Sequence, residues 1–233
     1  RKNSKGLDLT QAHEIEKLNK ELRVFKDKKI HATSIYLGRN SKNTTINNIV
    51  SIADDSIIGS VVLDNVSDIA NCLGKNLSKE WLLENVGGRS DTLKSIADDI
   101  ENNPYELIYF LMHEAGKTIH NAVDEIREAV DFLRYYSEEI IKIHNRDPIL
   151  DGPTGEINTL SYSGKGHFLC ISPWNFPVAI LIGQISAALA CGNRVTVKPS
   201  EHTSILGYLV TKKFHEHGVP IDILELILGD GIY

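Results

Sequence analysis

The chain has 233 residues, 42% apolar and 24% charged, the balance of an ordinary globular protein with room for one large domain or two small ones. A net charge of -6, with lysines interleaved among acids as in Lys26-Asp27-Lys28-Lys29, argues against a nucleic-acid surface, which needs clustered basic side chains. No apolar run reaches bilayer length and the first residues lack a secretory apolar segment; Cys72, Cys170 and Cys191 are too scattered for a disulfide framework, so a reducing, cytoplasmic setting is expected.

The opening Arg1-Lys-Asn-Ser-Lys-Gly6 has no Met, which is expected of a piece cut or processed from something longer. Thr10 is placed to cap a helix from Gln11 to Phe25, with Ile15, Leu18, Leu22 and Phe25 on one stripe. Residues 31–65 read as short β-like runs, Ala32 to Leu37 and Ile57 to Leu63, between Asn- and Asp-rich turns, as in a hairpin or sheet edge. Helical periodicity then returns in Val66 to Trp81, through Ile69, Leu73 and Leu77, and in Asp91 to Glu101. Pro104 suits the first turn of a further helix that Gly116 closes.

The longest helix is expected from Thr118 to Ile143, with Ala122, Ile126, Val130 and Leu133 on its apolar face. Glu125, Glu128, Asp131 and Arg134 read as charge neighbours along it. Asp147-Pro148 and Asp151-Gly152-Pro153 bring turn chemistry, and they separate an N-terminal region, 1–150, from a second region, 151–233. In the second region strands alternate with helices. Ile157 to Tyr162, His167 to Ile171, Arg194 to Val197 and Ile223 to Leu228 read as strands, Val178 to Ala190 and Thr203 to His217 as helices. That alternation predicts an α/β fold with a parallel sheet covered on both faces.

Within it, Cys170-Ile-Ser-Pro-Trp-Asn-Phe-Pro177 puts two prolines around a Trp-Asn-Phe at the end of a strand. The prolines fix φ and forbid ordinary helix entry, so Asn175 is expected in a defined turn at the strand's carboxyl end, where open α/β sheets bind ligands. Gly192-Asn-Arg-Val-Thr-Val-Lys-Pro-Ser-Glu201 delivers Lys198, Ser200 and Glu201 to the same edge, and an ammonium beside a carboxylate suits the two hydroxyls of a ribose. Plainer readings stand beside these: a turn-stabilising Asn175, an exposed Lys198–Glu201 ion pair, a solvated Glu128. His215 and His217 point about 200° apart on a helix, so they do not make a joint metal site. Tyr135, Tyr136 and Trp81 read as packing residues.

Ile171-Ser-Pro-Trp-Asn-Phe-Pro177, Gly192-Asn193 and Lys198-Pro-Ser-Glu201 resemble, in order, the signature blocks of the aldehyde dehydrogenase superfamily. Arg1 to Leu9, Glu114-Ala-Gly-Lys-Thr118 and Glu125-Ile-Arg-Glu-Ala-Val-Asp-Phe-Leu-Arg-Tyr-Tyr136 narrow the resemblance to the dehydrogenase domain of the bifunctional proline-utilisation family, over essentially the whole chain. The resemblance implies the N-terminal half of an aldehyde dehydrogenase fold, with 151–233 a partial, Rossmann-like NAD-binding region. The implied reaction is NAD-dependent oxidation of L-glutamate γ-semialdehyde to glutamate. By resemblance, Asn175 is the oxyanion-hole donor, while Ile171, Ser172, Pro173 and Trp174 line the cofactor cleft. Lys198, Ser200 and Glu201 would hold the adenosine end of NAD, and Phe176 and Glu128 would contact the chain and ammonium of the substrate.

The family's cysteine nucleophile, its general-base glutamate and the loop that holds the substrate carboxylate are all expected beyond residue 233. Cys170, in a buried strand, is expected to stay protonated. These residues alone are therefore expected to lack dehydrogenase activity. Two rivals stay open: a non-catalytic remnant or interaction module, and one half of a split enzyme. In either, self-association or a missing C-terminal half is expected to cover the exposed strand edge.

Overall fold

The computed structural model describes residues 2–39, 44–72, 81, 85–146 and 148–230. The first helix, α1 (Ala12–Arg23), has Gln11 at its N-cap rather than Thr10. Asp8 is the reason: its carboxylate takes both the amide and the hydroxyl proton of Thr10, at 3.0 and 2.6 Å. Leu18 is the buried residue of the expected stripe, and Ile15 is exposed.

Three strands follow, β1 (Ile30–Thr33), β2 (Thr45–Val50) and β3 (Ile57–Leu63). β3 is central, parallel to β1 and antiparallel to β2, with a register shift at Ile49/Val50. β2 falls in a stretch that reads as an Asn-rich turn. Pairing along β3 overrides the poor strand propensity of Asn47 and Asn48, both exposed. β1 ends at Thr33, four residues short of the expected run, but Ile35 bridges onward to Leu226.

The helical layer comprises α2 (Val66–Cys72), α3 (Val86–Asn102), α4 (Tyr105–His113) and α5 (Ile119–His144). Leu73 and Leu77 lie outside the described residues. α3 starts five residues before the expected Asp91 because the Asn85 side chain accepts the Gly88 amide and caps it. Pro104 is the N-cap of α4, and the Thr118 hydroxyl caps α5 by accepting the Asn121 amide. α5 packs against both α3 and α6, so it joins the layers. Its Arg134 is buried and pairs with Glu101 and Asp98 of α3, rather than with its charge neighbours along α5.

The expected strand 157–162 contracts to β5 (Asn158–Thr159), paired antiparallel with β4 (Ile149–Leu150). Beyond it runs β6 (His167–Ile171), α6 (Ala179–Ala190), β7 (Arg194–Lys198), a 3-10 turn (Glu201–Thr203), α7 (Ser204–Glu216) and β8 (Leu224–Leu226). The sheet order is β6-β7-β8, all parallel, each crossover being a helix. The chain is α/β with a partial, Rossmann-like parallel sheet. One apolar core draws on Phe110 and Leu133 from the helical layer together with Leu181, Val197 and Phe214 from the α/β part.

Coverage of this sheet departs from expectation at one place. β6 is an edge strand, and Leu169 and Ile171 are 63% and 59% exposed, so one face is open there. Near the opposite edge, Ile227 packs instead with Tyr36 and Ile69.

Candidate active site

β6 stops where Pro173 offers no amide, and the last rung of its ladder is Ser172 N–H to the Lys198 carbonyl at 3.3 Å. Trp174, Asn175 and Phe176 form an exposed bend, and α6 begins at Ala179. Such a helix start leaves free amides. Those of Val178 and Ala179 both donate to Glu125 Oε1 of α5, at 2.8 and 3.1 Å. The other oxygen of this buried carboxylate lies 2.5 Å from Lys117 Nζ, which sits 4.2 Å from the centre of the Phe176 ring.

The bend forms one wall of a cleft of about 530 Å³, with Trp174, Asn175 and Phe176 facing Lys117, Asn121, Asp124 and Glu128. The structure thus brings Glu128 together with Asn175 and Phe176, which are far from it in sequence. Among the described residues no hydrogen bond engages the Asn175 amide, so its donors are available to a ligand. Glu128 and Asp124, one turn apart on α5, make that wall acidic and attractive to a cationic group.

Trp174 and Ala115 also line a second cleft, of about 640 Å³, together with Glu201, His202, Gly229 and Asp230. The two clefts therefore meet across the indole. Of the other expected cofactor residues, Ile171 is exposed at the strand end, Pro173 is half-buried and Ser172 is buried beneath the bend. Lys198 and Ser200 are half-buried and stand outside the walls of both clefts. Lys198 Nζ donates to the Gly229 carbonyl at 3.1 Å, while Glu201 approaches His202 Nε2 at 3.6 Å, so the two do not form the exposed ion pair.

Two functional carboxylates escape a reading of sequence pattern. Glu125 lies between Ala122 and Ala129 on the apolar stripe of α5, and that position was the available signal of its burial. Glu114, at the end of α4, accepts the amides of Ile205 and Leu206 at the start of α7, at 2.7 and 2.8 Å. Burial pushes its carboxyl up to about 8, against the pull of those two amides. In both cases a glutamate from the helical layer occupies the N-terminus of a crossover helix.

The thiols differ in setting. Cys170 is buried in β6 and desolvation pushes its thiol up to about 11, whereas Cys191 is an exposed C-cap of α6. The side chain of Cys72 lies outside the described residues. His215 Nδ1 is 2.7 Å from the Val219 carbonyl, and His217 lies between Ser95 and Asp99. Trp81 is buried and donates to the Leu189 carbonyl, while Tyr135 is exposed.

Residues 39–232 match the family model described as the aldehyde dehydrogenase family. The bifunctional protein PutA of Salmonella typhimurium is 34% identical over 232 residues, which are 98% of this chain and 16% of that protein. Among solved structures, proline utilization A (PutA) from Bdellovibrio bacteriovorus superposes with a TM-score of 0.90 at 25% identity, covering 100% of this chain and 24% of the other. The 1-pyrroline-5-carboxylate dehydrogenase from Thermus with bound NAD gives 0.89 at 25% identity, covering 100% of this chain and 46% of the other. The chain thus spans about a sixth of the first relative and just under half of the last.

Proposed function

The chain belongs to the aldehyde dehydrogenase family, and from that premise we propose that its residues form the oxyanion and substrate side of an NAD-dependent L-glutamate γ-semialdehyde dehydrogenase. The supporting observation is Asn175, held in the bend before α6 on the wall of the cleft that Glu128 and Phe176 also line. An aldehyde in this cleft would turn its oxygen toward the Asn175 amide. When a thiolate adds to the carbonyl carbon, negative charge grows on that oxygen and the amide N–H stabilises it. Glu128 and Asp124 would attract the substrate's ammonium, and the Phe176 ring would pack on its chain.

The donor set at the sheet edge fits the adenosine end of NAD: Lys198 to donate, Glu201 to accept, Ser200 to do either, with Ile171 to Trp174 as the apolar wall. Glu125 and Glu114 already take two amides each at the starts of α6 and α7, which makes those helix starts poor seats for the pyrophosphate. When bound, NAD is the two-electron acceptor of the reaction. We treat 1–150 as the helical and strand region and 151–233 as part of the cofactor-binding region.

The nucleophile is not among the described thiols. Cys170 is buried and protonated, and Cys191 is at the far end of α6 from the bend, about 18 Å away at 1.5 Å per residue. With neither described thiol placed to attack, the 233-residue polypeptide by itself is expected to turn over no aldehyde. The open edge of β6, with exposed Leu169 and Ile171, supports completion by a further segment or a second copy, and keeps an interaction-module or split-enzyme reading in view. Purified polypeptide given NAD and the semialdehyde is expected to form no NADH. Once a segment carrying the nucleophile completes it, Asn175→Ala is expected to lower kcat by about 100- to 1000-fold. NADH formation by the polypeptide alone, or an Asn175→Ala variant as active as the parent, overturns the reading.

A further inference from the structure

Lys117 and Glu125 grip the bend that carries Asn175. On one side Glu125 Oε1 accepts the amides of Val178 and Ala179. On the other, the Lys117 ammonium pairs with Glu125 Oε2 at 2.5 Å and rests 4.2 Å from the Phe176 ring centre. Both groups are withdrawn from water, with side chains 12% exposed for Lys117 and 0% for Glu125. Local backbone aims the lysine. Gly116 adopts φ +67, which an L side chain rarely tolerates, and turns the chain back so that the Lys117 amide donates to the Leu111 carbonyl. Only Phe176 and the stiff Pro177 separate Asn175 from the gripped amides, so movement at Val178 passes directly into the bend.

We propose that the Lys117–Glu125 pair is a positioning device that fixes where the Asn175 amide points, an inference that rests on the oxyanion reading of Asn175. A buried carboxylate that spends one oxygen on helix amides requires a counter-charge at the other. A lysine over an aromatic face supplies that charge and locks the ring to it. Lys117 and Glu125 are therefore positioning residues for the oxyanion donor.

The test uses the 233-residue chain with Lys117→Met, which keeps the apolar stem but not the charge, and Lys117→Arg, which keeps both charge and ring contact. Amide exchange by NMR at Val178 and Ala179 is expected to accelerate on the order of 10-fold in the Met variant. Backbone relaxation at Trp174 to Phe176 is expected to shift toward the flexible range, and the Arg variant is expected to restore both. If the Met variant does not fold, Glu125→Gln gives the same readout, since it keeps an acceptor for the amides and removes the charge. A bend as rigid as the parent's in the charge-removing variant, or an Arg variant that fails to restore it, overturns the proposal. These readouts do not involve turnover. A loosened bend together with an Asn175→Ala variant as active as the parent in the completed enzyme would retire the oxyanion reading and leave the positioning device standing.

Discussion

Replacing Glu114 by Gln alters the group that caps α7, which begins three residues after Glu201 at the end of the expected cofactor edge. The wild-type carboxyl is fully buried, with its pKa raised from 4.5 to about 8 by desolvation. Between those values the folded chain holds a proton at Glu114 that the unfolded chain has lost. Stability from this group is therefore fully present below pH 4.5 and falls, by roughly 1 kcal/mol per pH unit, as pH rises through about 8. A glutamine keeps one acceptor oxygen for the amides of Ile205 and Leu206 but cannot ionise; losing the second acceptor costs about 1–3 kcal/mol. Urea denaturation of both proteins near pH 5 and near pH 8 separates the contributions. The Gln variant is expected to be the less stable protein near pH 5, and the gap should close or reverse by about pH 8, since only the wild type loses this contribution. A gap of the same size at both pH values would mean that Glu114 is ionised throughout, with the helix amides outweighing burial, and the reasoning fails.

Two further predictions test the packing behind the clefts. Iodoacetamide followed by peptide mass spectrometry is expected to label Cys191 ahead of Cys170, whose buried thiol is held at about 11; equal rates would mean that β6 is not packed on α6 as described. Gly192→Ala puts a Cβ at φ +75 and 3.3 Å from the Arg89 guanidinium carbon, and is expected to cost about 1–2 kcal/mol in urea denaturation. Stability equal to the parent's would refute the left-handed helix stop.

The elements legible from sequence are those whose burial is periodic and whose ends carry their own chemistry. α5 is both: its apolar spacing gives the core face, and Thr118 gives the start. β6 and β7 read correctly because short β-rich runs between glycines and prolines have few alternatives. β2 did not, since nothing in Thr45 to Val50 announces a strand until β3 lies beside it. The candidate site divides the same way. Asn175, Phe176 and Glu128 were named from an ordered set of signatures, and the cleft they share depends on α5 crossing the start of α6, which no local pattern records. Glu125 and Arg134 read only as charge neighbours along α5, because charge spacing is visible in sequence and burial is not. Thr10 failed as a cap through competition from Asp8, two residues away.

The tract Glu114 to Thr118 shows why the helical layer and the α/β part share one core. Glu114 holds the start of α7, Gly116 reverses the chain, Lys117 neutralises the carboxylate that holds the start of α6, and Thr118 caps α5. Five consecutive residues thus fix both crossover helices against one layer. The same arrangement constrains ligand binding. With a glutamate accepting two amides at each of these helix starts, an anion approaching the carboxyl edge of this sheet meets a carboxylate at both α6 and α7 among the described residues. Asn175 differs from its surroundings in this respect. It lies between anchored elements, yet its own amide is unengaged among the described residues, as a donor must be if it is to meet charge that exists only during the reaction.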